Sequence, residues 1–559
     1  MRLTQSGSVA LVLGTEPRIA IQSPHGRPAR GGALEWVTAS ASPTGAFETL
    51  TVEVDGQPVP TGVRPVGVDI FVSAWCDTRG LPPGVHTITV TGTLADGDTV
   101  TATLLLTVTL GQPVEWWTDP TDESTGIGLS SLGDPGFEEA LARTALGGPP
   151  LVILAQDGTP GPGALEQIAA AFTGPSAPDV VIGDDAALIG EDRWLRWRKR
   201  AFQSDALPAI DQVGPLLAVG PRAADVLCDA LPATAGIYGL ALELVDRGFQ
   251  TLAVPHVLAL TTEARLPVDG AAARAAVERL ADRRGRRVVI EPGPVTGLRD
   301  VRWPLADEPA VVAIVPSRTP ELAAHCLAAL AERTDHGNLR VVLVDSADDP
   351  EGMVRVADDA AVPTTLVRYP TGEPFNYQRA VNLGTDGVTE ELVLLLNDDV
   401  TPLNADWLTR MAELATLPGV GAVGALLRHP DGRIQHGGVQ IGEGTGHLYH
   451  DAPADAPGHR FELLVPGNPE AVTGACLLLR REALVAVGGL DEDYVHVYGD
   501  VDLCFRLQEH GWRIAWCPGA ELEHLESASY GKAVHVGDIA RFGERWKRDR
   551  GGAHRVRTS

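Results

Sequence analysis

At 559 residues the chain is several times the length of an ordinary domain, so roughly two to four domains are expected, each with its own core. A formal charge of −28 argues against a nucleic-acid partner, because phosphate backbones are held by a surplus of Lys and Arg, and it disfavours polybasic docking on anionic lipid. With 44% hydrophobic and 21% charged residues the composition is that of a globular protein, and no apolar run approaches the roughly 18 residues needed to span a bilayer. The N-terminus holds only the short run Val9 to Leu13, too brief for a secretory signal, and a cytoplasmic protein is expected. Six cysteines lie far apart with no CxxC pairing, which points to reduced core thiols.

From about residue 30 to 112 apolar and polar residues alternate, as in Leu50, Val52, Val54, then Ile88 and Val90, then Val100, Ala102, Leu104, Leu106 and Val108. Turn signals at Asp55-Gly56, Pro82-Pro83-Gly84 and Asp96-Gly97 separate these runs, and an immunoglobulin-like β-sandwich over 1–113 is the expected assembly. It reads as a spacer or packing module, with carbohydrate binding as the alternative.

Beyond about residue 116 short apolar strands alternate with Ala- and Leu-rich helical stretches, the signature of α/β architecture. The run Leu151 to Pro160 echoes Leu392 to Pro402, and Asp246 to Pro255 echoes Glu509 to Pro518. In that alignment Ile237 and Gly239 stand where the later segment has Asp500 and Asp502, and Asp157 stands alone where the later segment has Asp398-Asp399. Residues 114–265 are therefore read as a degenerate, non-catalytic copy, 266–306 as a helix and linker, and 307–559 as the complete α/β domain.

In that last domain three apolar strands end in polar groups: Val311 to Val315 before Pro316-Ser317-Arg318, Val341 to Val344 before Asp345, and Leu392 to Leu396 before Asn397-Asp398-Asp399. Open α/β sheets bind ligands at the carboxyl ends of their strands. Adjacent carboxylates are costly to hold together unless a cation shares them, and hard oxygen ligands suit Mg²⁺ or Mn²⁺.

The densest constellation is Thr473-Gly474-Ala475-Cys476, then Gly488-Gly489-Leu490-Asp491-Glu492, then Tyr498-Gly499-Asp500-Val501-Asp502-Leu503, and finally His524 in ELEHLESAS. This set, in this order after the aspartate pair, closely resembles the family 2 glycosyltransferases with a GT-A (Rossmann-like) fold, over essentially all of 307–550. The resemblance implies an inverting, metal-dependent transfer from a nucleotide-diphosphate sugar, UDP- or dTDP-linked, to the hydroxyl of a saccharide or lipid-linked saccharide. It implies that Pro316, Ser317, Arg318 and Asp345 line the nucleotide pocket with Asn382 closing it. It also places Asp398 near the ribose, and Asp399, with Asp398 and His524, at the Mg²⁺ or Mn²⁺. Asp500 is the candidate base, with Asp502 as competitor, and Thr473, Gly474 and Asp491 fall on the acceptor side.

Three positions depart from the family's usual pattern: Gly499 where Glu or Asn often precedes the base, Asn397 before the aspartate pair, and Leu525 where a second His often follows the first. Relatives with a degraded copy before a complete one build bacterial surface polysaccharides, often as rhamnosyl transferases, at the inner face of the membrane. Two rivals stand beside this reading: a catalytically silent carbohydrate-binding or scaffold protein, and a nucleotidyltransferase, against which the lack of a Gly-rich phosphate loop in VPSRTPE speaks. Trp407, Trp512 and Trp516 read as core residues, and the Gly-rich stretch from His436 to Gly446 as either an acceptor loop or an ordinary surface loop.

Overall fold

The computed structural model describes all residues except 1–17, 24–28, 31–33, 43–46, 60, 67–68, 78–83, 95–97, 110–127, 132–133, 135, 156–157, 162, 174–176, 190–192, 198, 200–201, 231–235, 262–269, 296, 442–444, 496, 526–535, 547–553 and 558–559. Asp157, the Pro82-Pro83 and Asp96-Gly97 turn signals and the Val9 to Leu13 run lie outside the described residues. The chain forms two compact units, residues 1–110 and 111–559. Among the described residues no helix is long and apolar enough to cross a membrane.

The first unit consists of two β-sheets. One runs in the order Arg18–Ser23, Leu34–Ser42, Asp69–Asp77, Thr61–Val66, all antiparallel. The other is built on the antiparallel strands Thr99–Thr109, Gly84–Leu94 and Phe47–Val54. Period-two patterning acts as expected here: Leu50, Val52, Val54, Ile88 and Val90 are buried while their neighbours are more exposed.

The second unit contains two large mixed sheets. The C-terminal sheet has the order Thr364–Arg368, Leu339–Asp345, Val311–Ser317, Leu392–Leu396, Cys476–Arg480, Val420–Arg428, Arg513–His524, Val400–Pro402. Its first four strands are parallel, and the three inner ones, Leu339–Asp345, Val311–Ser317 and Leu392–Leu396, are buried, which explains their continuous apolar runs, while the edge strand Thr364–Arg368 is partly exposed. The earlier sheet runs Gly128–Ser131, Leu151–Leu154, Leu216–Val219, Val180–Ile189, Gln250–Thr261, Gly158–Pro160. Strand by strand, this matches in order and sense the last six strands of the C-terminal sheet.

The segment expected as helix and linker is a packed helix, Ala271–Arg284, followed by a two-stranded antiparallel hairpin, Val289–Pro292 with Arg299–Arg302. The Pro-Gly-Pro sequence at 292–294 makes the hairpin's bend rather than an open tether. The final strand, His554–Arg557, pairs with Gln250–Ala253 of the earlier sheet, so the last residues join the preceding region rather than the domain expected over 307–559.

Ion pairs lock the two halves of this unit together. Arg513 reaches the fully buried Asp205 at 2.8 and 2.9 Å, and Asn468 donates to the same carboxylate at 2.6 Å. Arg302 is bidentate on Glu413, at 2.6 and 2.9 Å. Burial opposes ionisation of Asp205, yet the Arg513 guanidinium outweighs it and brings the carboxyl below its ordinary value. Replacing Asp205 with Ala strips the buried Arg513 of its bidentate carboxylate, leaving Asp246 at 3.7 Å, and is expected to destabilise this unit by about 3–5 kcal/mol, read from the denaturant midpoint.

Candidate active site

The site is assembled at the carboxyl ends of the central strands. Parallel pairing sets Ser317 level with Asp345, and Asp345 level with Arg368. Asp345 is fully buried, accepts from the Ala347 amide at 2.8 Å and is ion-paired with Arg368. Ser317 Oγ donates to Asp398 Oδ2 at 2.6 Å, which joins the first strand's end to the aspartate pair. Arg318 is exposed and paired with Asp348 at 3.0 Å.

The second half of the site is fixed by register. Val400 pairs with His524, and the Leu525 amide donates to the Asp399 carbonyl at 3.1 Å, so residues far apart in sequence meet with Asp399 Oδ1 3.1 Å from His524 Nε2. Gln435, buried at 2% exposure, holds the imidazole from behind. His524 Nδ1 donates to Gln435 Oε1 at 2.6 Å, and Gln435 Nε2 donates to the His524 carbonyl at 3.2 Å. With its proton on Nδ1, His524 presents a lone pair at Nε2, where Asn397 Nδ2 also approaches, to 3.4 Å. A lone pair facing a carboxylate oxygen at 3.1 Å is repulsive unless a cation or proton lies between them. Two adjacent ligands of an octahedral ion with bonds of about 2.1 Å stand about 3.0 Å apart. The donor set Asp399 and His524 therefore fits a hard divalent cation. Asp398, turned to Ser317, lies beside this pair and contributes charge.

Asp500 lies in the first turn of the helix Gly499–Glu509. Its Oδ2 accepts from the Gly474 amide at 2.8 Å and its Oδ1 from the Val501 amide at 2.8 Å. Burial pushes its pKa above the ordinary carboxylate value, against the pull of these backbone donors and of Thr473. The Gly474 backbone is fixed in turn by the sheet: the strand Cys476–Arg480 pairs with Leu392–Leu396, and the Asn397 amide donates to the Ala475 carbonyl at 3.0 Å.

Tyr377, at the start of a helix capped by Asn376, completes the cleft: its hydroxyl donates to the Gly474 carbonyl at 3.2 Å. Burial and then the charges of Asp500, Asp398 and Asp399 push its pKa up, so one phenol senses all three carboxylates. A first side-chain carbon at Gly474 would lie in ordinary van der Waals contact with both, 3.7 Å from Asp500 Oδ2 and from Tyr377 Oη, which places Gly474 between the two side chains.

Other candidates stand apart from the cleft. Asn382 spends its amide on Leu490 and Glu492 and accepts from the Leu490 amide, so it braces the Gly488–Glu492 turn rather than closing a nucleotide pocket. Asp491 is ion-paired with Arg541 and Arg545, at 3.2 and 2.7 Å, and anchors the helix Val536–Arg545 rather than an acceptor. Asp502 is fully buried among Arg506, Trp546 and Tyr494, a core network turned away from Asp500. Gly499 has a steric reason: a Cβ there would come within 2.4 Å of the buried Gln378 side chain. His436 is fully buried in a strand, with Nε2 accepting from the Thr473 amide at 3.3 Å, so the stretch begins as core rather than surface loop. Trp407 and Trp516 are buried with their indole N–H groups bonded inside the protein, while Trp512 is half-buried against Arg480.

A half-sheet of parallel strands with Ser317 and Asp345 at their ends, an acidic pair beside a His, and a carboxylate in the first turn of the helix Gly499–Glu509 are the features of a GT-A-like fold. Residues 309–536 match the family model described as glycosyltransferase like family 2. A 256-residue stretch is 31% identical to an N-acetylglucosaminyl-diphospho-decaprenol L-rhamnosyltransferase of Mycobacterium tuberculosis, covering 41% of this chain and 79% of that protein. The chain belongs to the family 2 glycosyltransferases. It is also 33% identical over 267 residues to the O-antigen biosynthesis protein RfbC of Myxococcus xanthus, covering 46% of this chain. An uncharacterized protein of Sinorhizobium fredii is 36% identical over 309 residues, covering 52% of this chain. The chain spans only 32% of the length of the Sinorhizobium protein and 20% of that of the Myxococcus protein.

Sequence reasoning missed Tyr377 and Gln435. Both lie in segments whose neighbouring polar residues drew attention instead, Asn382 and His436. Replacing Gln435 with Leu keeps the volume but removes the acceptor that fixes His524. Mn²⁺ affinity, read by paramagnetic titration, is expected to fall about 10- to 100-fold, with the melting temperature changing far less than for Asp205→Ala.

Proposed function

We propose that the chain is an inverting glycosyltransferase that moves a sugar from a nucleotide-diphosphate donor, UDP- or dTDP-linked, to the hydroxyl of a saccharide or lipid-linked saccharide in bacterial surface-polysaccharide synthesis. The observation that carries this reading is that Asp500 and Tyr377 both bond the Gly474 backbone, that the charges of Asp500, Asp398 and Asp399 all reach the Tyr377 phenol, and that Asp399 meets His524. Single-step inversion requires a base beside the attacking hydroxyl and charge neutralisation at the leaving diphosphate on the opposite face. Asp500 takes the acceptor proton; its backbone hydrogen bonds fix its position, and its raised pKa makes it a stronger base. Asp399 and His524 would hold Mg²⁺ or Mn²⁺, which neutralises the departing diphosphate. Ser317, Asp345 and Asp398 orient the nucleoside end, with Pro316 and Arg318 flanking it, and Thr473 and Gly474 shape the acceptor side.

Rhamnosyl transfer is the favoured specificity, from the likeness to the mycobacterial rhamnosyltransferase. Action at the inner face of the membrane, by peripheral association, is part of the same reading. The earlier sheet is read as a degraded copy of the catalytic one. The matching strand order supports this, as does the register that places Thr261 where the later sheet has His524. Ile237, in the helix corresponding to Gly499–Glu509, stands in place of Asp500. The first unit is read as an immunoglobulin-like spacer.

A screen of nucleotide sugars for thermal stabilisation with and without Mn²⁺ tests this directly: donor-specific stabilisation should vanish in Asp399→Ala. If no nucleotide sugar stabilises the wild-type chain, the assignment falls. Asp500→Asn should retain donor binding and lower turnover by roughly 10²- to 10⁴-fold. A base works only when ionised, so activity rises with pH through the Asp500 pKa. Because burial raises that pKa, the acidic limb of kcat/KM is expected above the free-carboxylate value of about 4.

A further inference from the structure

We infer that His429, His450 and Asp451 form a second cation site, separate from the Asp399–His524 pair and suited to a borderline-soft transition metal of the Zn²⁺ class. Their ligand atoms lie within 4.8 Å of one another, the one such trio among the described residues. His429 Nε2 stands 3.3 Å from Asp451 Oδ1, and His450 Nε2 stands 3.6 Å from Asp451 Oδ2. Two ligands of a tetrahedral ion with bonds of about 2.0–2.1 Å are separated by about 3.3 Å, so small movements close the cage and leave a fourth position for water. Two imidazoles with one carboxylate suit zinc better than Mg²⁺ or Ca²⁺, which prefer oxygen.

The surroundings prepare the ligands. His450 Nδ1 donates to the Gln435 carbonyl at 2.9 Å, which leaves the Nε2 lone pair directed at the carboxylate, an arrangement that calls for a cation. His429 Nε2 is buried and makes no hydrogen bond, although its carboxylate neighbour is close. The framework is rigid: Asp451 bonds the Ile434 carbonyl through its amide at 2.7 Å, while its own carbonyl accepts from Arg433 at 3.2 Å. Tyr449 and Asp451, on either side of His450, hold left-handed backbones with φ of 60° and 61°.

Gln435 touches both sites, by its backbone carbonyl and by its side chain. Gln435 Nε2 lies 3.4 Å from His429 Nδ1, while its Oε1 accepts from His524. Metal capture at His429 Nε2 moves that ring's proton to Nδ1, against the Gln435 amide, so the carboxamide has to yield and His524 is loosened with it. Occupancy of the outer site thus works against the geometry of the inner one.

The test is a Zn²⁺ titration of the metal-free full chain against a chromogenic chelator, in Asp399→Ala and in the same Asp399→Ala background carrying His450→Ala or Asp451→Asn. Asp399→Ala should retain one site with Kd below about 1 µM. His450→Ala should weaken it by more than about 100-fold, beyond what loss of an outer-shell partner produces. Should His450→Ala not fold, judged by its melting transition, the near-isosteric Asp451→Asn carries the same comparison. Tight binding that persists undiminished in the folded His450→Ala or Asp451→Asn chain, or no site tighter than about 1 µM in Asp399→Ala, overturns the inference. The readout is independent of the transferase assignment, because it is made in a variant that lacks Asp399.

Discussion

The short antiparallel ladder between Val400–Pro402 and the end of Arg513–His524 is the constraint on which the site depends. It is only three residues long, yet it brings the acidic pair and the late histidine to one point, and a slip by one residue would turn His524 to the other face of the sheet. The ladder is held in place by what lies beneath it. Arg513–His524 also runs parallel to Val420–Arg428, which leads through the turn at His429 into the strand bearing Gln435. Gln435 then bonds both the backbone and the ring of His524. Backbone pairing sets which residues face each other, and the buried amide sets which nitrogen of the ring is presented.

Asp500 and Asp502 show how helix geometry separates two acids that sequence spacing leaves equivalent. Residues two apart on a helix point roughly 200° from one another, so one faces the cleft and the other the core. The core-facing Asp502 is satisfied by Arg506 and the Trp546 indole, and it ties the helix to the C-terminal Val536–Arg545 segment. Asp500 accepts from the Gly474 and Val501 amides and the Thr473 hydroxyl, and burial outweighs these donors, so its pKa moves up rather than down.

Much of this was legible in the chain. The strand-end positions of Ser317, Asp345 and Asp398-Asp399 follow from apolar runs with polar ends, and the resemblance brought Asp500 and His524 into one constellation. A motif records which residues recur together without saying which of them a local turn engages: Asn382 bonds the Gly488–Glu492 segment through its amide, and Asp491 pairs with arginines some 50 positions later. Gln435 was illegible for the converse reason, since a lone amide in a short strand has no pattern of its own. Its role exists only once a partner 89 positions away is folded against it. The departure at Gly499 likewise became intelligible only when Gln378 was seen filling the space a side chain would need.

The two large sheets of the second unit make the same argument from the other direction. Their matching order of six strands rests on buried apolar runs such as Leu151–Leu154 and Leu392–Leu396, which carry no polar group and so set the fold without setting any chemistry. The two sheets differ at their rims, where Ile237 and Thr261 stand at the positions that Asp500 and His524 hold in the later sheet. Ile237 is buried at 4% exposure, so that helix start is packed as core. The earlier region also supplies Asp205, the carboxylate bidentate on Arg513 at the start of the strand ending in His524. That strand is thus held at one end by Asp205 and at the other by Asp399, and its position is set by both.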